Sequence, residues 1–204
     1  MNNPLKEEKL VSLFGKPKDS VFLDDKKTWD AFRAGKESAF IHIYETYFDV
    51  LYAYGWRIAA DEPLIKDAIQ EMFIDLRKHR ERLGKTDSIK FYLFKCLKRK
   101  LYKEASKWDL KREDFPPSNY FDFTISHEQR LIDRQIDADR LEKLNVAIKK
   151  LSPRKKEIIY YCFYEGMDYK QIQEIMGLEN PKVARNLMYK ALGFLREVLG
   201  DEGH

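Results

Sequence analysis

Cysteine is nearly absent from this sequence. Cys96 and Cys162 are the only two, and both sit inside apolar helical patterns, which points to buried reduced thiols rather than a disulfide framework. Histidine is almost as sparse. His42, His79, His127 and His204 are scattered, with no Cys or Glu at metal-ligand spacing. There is no glycine-rich phosphate loop and no Ser/His/Asp arrangement that the sequence could nominate. No catalytic residue, metal or cofactor is therefore expected, and an enzyme is the least supported class. No apolar run approaches the roughly 20 residues needed to cross a bilayer. The opening residues, Met1-Asn2-Asn3-Pro4-Leu5-Lys6-Glu7-Glu8, lack a signal-peptide core. The expectation is a cytoplasmic chain without membrane contact.

What the sequence does hold is charge in blocks. Hydrophobic residues make up 44% of the 204 positions and charged ones 35%, enough apolar material for packed cores and too much for disorder throughout. The net charge of +4 is modest, but residues 1–106 carry +4, 107–140 carry −2 and 141–204 carry +2. Two basic lobes flank an acidic middle.

The sharpest change of texture falls between Leu64 and Trp108. Apolar residues at 65, 68, 69, 72, 73 and 76 predict one face of a helix. Asp67, Glu71 and Asp75 recur every fourth residue and form an acidic edge on another face. From Arg77 to Lys103 there are eleven Lys or Arg against only Glu81 and Asp87, with Phe91, Tyr92, Phe94 and Tyr102 among them. A core needs the apolar stripe but not the cations. The reading is an acidic helix that grips a protein, then a basic, ring-bearing helix that grips nucleic acid. Phe91 and Tyr102 are the rings placed to stack on unpaired bases, whereas Tyr92 reads as packing. The same cations also suit a solvated helix face, and the acids suit helix ion pairs.

Around this stretch the chain divides readily. Residues 1–27 are polar and weakly periodic, an N-terminal extension. Helical pattern starts at Thr28, breaks at Gly35 and resumes near Ser38. Asp61-Glu62-Pro63 begins the acidic helix, Gly84 closes it, and Asp87 or Ser88 caps the basic one. Residues 108–140, with Pro116-Pro117, read as a flexible acidic linker. In 141–200, Ser152-Pro153 starts one helix, Asp168-Tyr169-Lys170-Gln171 is spaced as a capping box, Gly177 ends a short helix, and Asn180-Pro181 opens a long one. That is a helix-turn-helix, although a plain helical hairpin has the same outline. Burying Val183, Leu187, Ala191 and Leu195 would leave Lys182, Arg185, Asn186, Tyr189 and Lys190 outside, a set able to meet phosphates and base edges. Gly193 shares that face, with Ala184 and Met188 at its border. Residues 201–204 are a tail.

With these motifs together, the sequence resembles the extracytoplasmic-function (ECF) group of bacterial RNA polymerase sigma factors, and its overall pattern is similar to members from Bacteroidetes. Residues 29–40 resemble the opening of the family's first domain. Residues 67–76 resemble its clamp-binding segment, 89–97 and their basic continuation its minus-ten segment, and 164–172 with the helix after Asn180 its minus-thirty-five domain. The resemblance implies an all-α protein of two small helical domains, a region 2-like bundle over 28–107 and a region 4-like helix-turn-helix over 141–200. It implies core RNA polymerase (clamp and flap regions) and promoter DNA, duplex and single-stranded, as partners. Asp67, Gln70, Glu71 and Asp75 would bind polymerase. Lys90, Phe91, Lys95, Lys98, Arg99, Tyr102 and Lys103 would hold the minus-ten strand, with the loop from Arg82 to Ser88 against an extruded base. Lys182, Arg185, Asn186, Tyr189 and Lys190 would read the minus-thirty-five duplex. Arg77 departs from the family's usual Trp. The long leader and the small residues on the last helix leave room for an anti-sigma factor or an accessory DNA-bound recruiter. The residues alone also permit a helix-turn-helix regulator of duplex DNA with 28–107 as a sensor or dimerisation domain.

Overall fold

The computed structural model describes residues 25–108, 120–125 and 138–200, and among these every regular element is a helix. The chain divides into two compact units that part between Tyr120 and Phe121.

The first unit contains α1 (Asp25–Arg33), α2 (Glu37–Ala59), α3 (Glu62–His79) and α4 (Ile89–Trp108). Trp29 and Phe32 of α1 are buried, and the Trp29 indole N–H donates to the Gly84 carbonyl at 2.8 Å. Gly35 takes the left-handed conformation, φ +86°, that turns the chain into α2. That helix starts at Glu37, with Lys36 rather than Ser38 at the N-cap position and no side-chain cap. It ends at Ala60, a non-glycine residue at φ +47°, directly before Asp61, whose carboxylate accepts from the Leu64 N–H at 3.0 Å and caps α3. Gly84 does not end α3. The helix stops at His79 and a 3₁₀ turn, Arg80–Arg82, follows.

All six residues of the expected α3 stripe are buried. Where α2 crosses α3, Gly55 lies so close to Ile65 that an added Cβ would sit 2.5 Å from Ile65 Cγ2. Only glycine permits this approach. Tyr54 and Phe94, both fully buried, stack at 4.2 Å and 10° and join α2 to α4. Asp25 is a second tie: one oxygen accepts from the Ile89 N–H at 2.8 Å and the other from the Tyr47 hydroxyl at 3.3 Å. Burial of that phenol, reinforced by the Asp25 charge, pushes its pKa well above the usual tyrosine range.

The second unit contains α5 (Ala138–Lys149), α6 (Pro153–Ile159) continued by a π turn (Tyr160–Tyr164), α7 (Tyr169–Ile175) and α8 (Pro181–Gly200). Ser152 begins α6 through its backbone carbonyl, without a side-chain cap. The capping box at Asp168 forms in full, with Asp168 accepting from the N–H of Lys170 and Gln171 and Gln171 returning to the Asp168 N–H. Gly177, at φ +60°, makes the turn, and Asn180 caps α8 through the Val183 N–H at 3.1 Å.

The linker expected over 108–140 needs correction where it is described. Residues 121–125 pack into the second unit, with Phe121, Phe123 and Ile125 buried. Alternate side chains of an extended segment point one way, and here Phe121 and Phe123 meet the tyrosines of the π turn. The expectations for residues 1–24, 109–119, 126–137 and 201–204 lie outside the described residues.

Candidate nucleic-acid interface and docking surface

The acidic edge is an exposed feature of α3. Asp67, Gln70, Glu71 and Asp75 all face solvent, held in register by the buried stripe behind them. The edge is not purely acidic. Ile74, 56% exposed, stands among these side chains, an apolar contact that periodicity did not single out because it falls off the core stripe. Lys100 of α4 reaches across to the same edge, with its ammonium 3.1 Å from Glu71 and 2.8 Å from Asp75. The Lys100 hydrogen bond holds the Asp75 carboxyl below its ordinary pKa. Burial opposes charging of Lys100, but its bonds to Asp75 and Glu71 outweigh this and keep its ammonium above the usual lysine value. Lys100 thus ties the basic helix to the acidic edge.

The basic helix α4 starts at Ser88, whose hydroxyl oxygen accepts from the Phe91 N–H at 3.2 Å. Ile89, Leu93, Phe94, Leu97 and Leu101 are buried. At 100° per residue this places Phe91, Lys95, Lys98 and Tyr102, all half-buried, in one row off the core face, with exposed Arg99 and Lys103 beside it. The row is cohesive: the Lys98 ammonium lies 5.5 Å from the Tyr102 ring centre. Lys90 falls outside it, at the margin of the core face, its ammonium 5.7 Å from the ring of buried Phe94. Tyr92 is packing, as its spacing implied. It lies 4.9 Å from the Trp29 ring, and burial pushes its phenol up to about 12.

The loop before α4 is anchored at both ends, by Trp29 on Gly84 and by Asp25 on Ile89, with Thr86 and Ser88 bonded to each other between them. Asp87, exposed, pairs with Lys26 at 3.0 Å. Arg77, the departure from the family pattern, pairs with Glu37 at 2.9 Å and lies 5.4 Å from the Phe40 ring. Its guanidinium joins α3 to the start of α2, packing of the kind a large planar side chain supplies.

In the second unit α8 presents Lys182, Arg185, Asn186, Tyr189 and Lys190 on one exposed face. The face agrees with expectation, but the buried stripe behind it does not. Ala184, Met188, Ala191, Leu192 and Leu195 are buried, while Val183 and Leu187 are half-exposed. Ala184 and Met188 therefore do not border the outer face. Packing of α8 against α5, α6 and α7 keeps Ala191 and Leu195 inside but turns the centre of the stripe by roughly 60°. Gly193 continues the outer face with open space around it. Arg185 sits over the Tyr169 ring at 5.4 Å, so the first residue of α7 steadies the guanidinium, a role the sequence did not suggest. Among the described residues, no group of His, Cys, Asp and Glu could hold a metal, and no helix is long and apolar enough to cross a membrane.

Comparison with known proteins gives two findings. The family model "Sigma-70, region 4" matches residues 141–192, which comprise nearly all of the second unit's helices. The fold resembles several solved structures. One is CnrH in complex with the cytosolic domain of CnrY, at 17% identity and TM-score 0.54, covering 88% of this chain and 99% of that one. Another is the sigma factor RpoE in complex with the anti-sigma factor NepR from Bartonella quintana, also at 17% identity and TM-score 0.54, covering 79% and 96%. At such identity the likeness is one of fold. No curated sequence matches the chain.

Proposed function

We infer that this chain, whose residues 141–192 form a sigma-70 region 4 domain, is an RNA polymerase sigma factor of the ECF group that binds core polymerase and directs promoter recognition and transcription initiation. The region 4 match carries this reading. The fold shared with RpoE over both units supports it. The factor performs no chemistry of its own, acts in the cytoplasm, and belongs with promoter DNA and polymerase. An anti-sigma factor is a further expected partner, since RpoE was solved with one.

The geometry suggests a division of tasks. The α3 edge of Asp67, Gln70, Glu71 and Asp75, with Ile74 among them, docks on a basic surface of polymerase. The Phe91, Lys95, Lys98 and Tyr102 row of α4, flanked by Arg99 and Lys103, holds the unpaired minus-ten strand. Extruding a base costs a few kcal/mol, and stacking returns on the order of 1–3 kcal/mol per base. Lys90, at the core margin, has at most a phosphate contact. Lys182, Arg185, Asn186, Tyr189 and Lys190 enter the major groove of the minus-thirty-five element. The regulator alternative leaves the ring-and-cation row of α4 without a task.

The test is transcription in vitro with cognate core polymerase on a genomic fragment library, with and without the chain. Discrete chain-dependent start sites are expected. Duplex binding without any such transcripts would replace this reading with the regulator. Full-strength transcription from bare promoter DNA would also remove the need for an accessory recruiter.

A further inference from the structure

Of the three cations on the outer face of α8, Arg185 alone has a ring beside it among the described residues. Its guanidinium lies 5.4 Å from the centre of the Tyr169 ring, within cation–π range. Arg185 belongs to the N-terminal part of α8, where the second helix of a helix-turn-helix meets base edges. Tyr169 is the first residue of α7, the other helix of the pair, and is half-buried.

The chain fixes that ring from both sides. Gly166 turns the backbone at φ +66°, and Met167, buried, donates its N–H to the Tyr161 carbonyl at 2.9 Å. Asp168 then closes its capping box, accepting from the N–H of Lys170 and Gln171 at 2.8 Å each, while Gln171 accepts from the Asp168 N–H at 3.1 Å. Beyond the ring, Ile172 and Ile175 are buried. The ring is therefore a fixed platform. A free arginine spreads over many rotamers, and ordering it on binding costs affinity. Stacked on the ring, the exposed Arg185 has its plane set before DNA arrives, with the N–H groups at its rim open to the two acceptors of a guanine. A lysine gains little from such a platform, because its charge is a point with rotatable donors.

We propose that Tyr169 is a positioning residue for base readout, holding the Arg185 guanidinium in the orientation that selects one base pair of the upstream element. The proposal rests on the assignment of α8 to the minus-thirty-five duplex. It gives α7 a part in sequence choice through a side chain that acts on another side chain rather than on DNA.

The test uses the full chain with core polymerase and a promoter set in which each position of the upstream element carries all four base pairs in turn. Transcript abundance is read as ratios within one chain, so a lower folded fraction cancels. Arg185→Ala should flatten the preference at one position. Tyr169→Leu should lower discrimination at that same position about 2- to 5-fold, the size of an exposed cation–π contact, and leave the other positions unchanged. Tyr169→Phe keeps the ring and should keep the preference. Arg185→Lys keeps the charge but not the plane, and should flatten the position as Arg185→Ala does. In the Arg185→Ala background, Tyr169→Leu should have no further effect. Ratios unchanged by Tyr169→Leu, or lowered alike at every position, overturn the proposal. So does a preference that survives Arg185→Ala or Arg185→Lys, or one that Tyr169→Phe flattens as far as Tyr169→Leu, which would make the hydroxyl a DNA contact. Transcripts from the parent chain without any preference in the upstream element would instead remove the duplex assignment of α8, and absence of chain-dependent transcripts would refute the sigma-factor reading.

Discussion

Lys100→Met is the most informative single change, because Lys100 belongs to the basic helix yet spends its charge on the acidic edge. Its ammonium lies 3.1 Å from Glu71 and 2.8 Å from Asp75, and its side chain is 17% exposed. Methionine keeps most of the buried stem and deletes the charge. Exposed ion pairs are worth about 0.2–1 kcal/mol each. Losing both therefore costs the first unit about 0.5–2 kcal/mol, and 1 kcal/mol is about 4–8 °C of Tm for a unit this small.

Polymerase affinity should move the opposite way. A partner cation meeting Asp75 would approach to about 6 Å from Lys100, a repulsion of roughly 0.7 kcal/mol in bulk water and about 3 kcal/mol at an effective dielectric of 20. At 0.15 M salt the screened end of that range applies, so K100M should bind core polymerase about 3- to 10-fold more tightly, with a larger gain at low salt.

The pH dependence has a definite sign. Asp75 has its folded pKa below the ordinary 3.8, so its contribution is fully present above that value and disappears as pH falls through the lower folded pKa. Lys100 has its folded pKa above 10.5, so its contribution is fully present below 10.5 and is lost as pH rises through the higher folded value. The stability gap between parent and K100M should therefore be flat from about pH 5 to 9 and close at both extremes. Thermal melts across pH and fluorescence titrations with core polymerase at two salt concentrations measure these effects. A variant that is less stable and also binds polymerase more weakly would refute the reasoning, since Lys100 would then be part of the docking surface. D67A/E71A is the control, and if it leaves polymerase binding intact the docking assignment itself falls.

Two further outcomes follow from the geometry. Gly55→Ala places a methyl 2.5 Å from Ile65 Cγ2 and should destabilise the first unit by about 1–3 kcal/mol through overpacking, seen as a lower urea midpoint at unchanged slope. Arg185→Ala should weaken binding to the selected minus-thirty-five duplex by about 1–3 kcal/mol and relax preference at one base pair, whereas Lys182→Ala should weaken all sequences alike and reduce the salt slope by about 1. Equal losses on specific and random duplex for Arg185→Ala would assign it to phosphate instead.

Residues near in sequence determined much of this protein by themselves. The stripe 65, 68, 69, 72, 73 and 76 is the buried face of α3, the caps at Asp61 and Asn180 and the capping box at Asp168 start the helices they were expected to start, and the outward cations of α8 stand where their spacing put them. Helical periodicity and capping depend on neighbours within four residues, which a linear reading can see. The segment 121–125 was legible only in part. Phe121, Phe123 and Ile125 alternate as an extended segment with one buried face must, but acidic and proline-rich neighbours masked the signal.

Tertiary structure alone decided the rest. It chose Ala184 and Met188 over Val183 and Leu187 as the inner line of α8, placed Lys100 between two acids twenty-five and twenty-nine positions away, and made Gly55 indispensable by setting Ile65 against it. Each depends on how neighbouring helices are rotated and how closely they approach. That is settled by fitting whole side chains into a dense interior, where one residue of rotation changes which atoms touch.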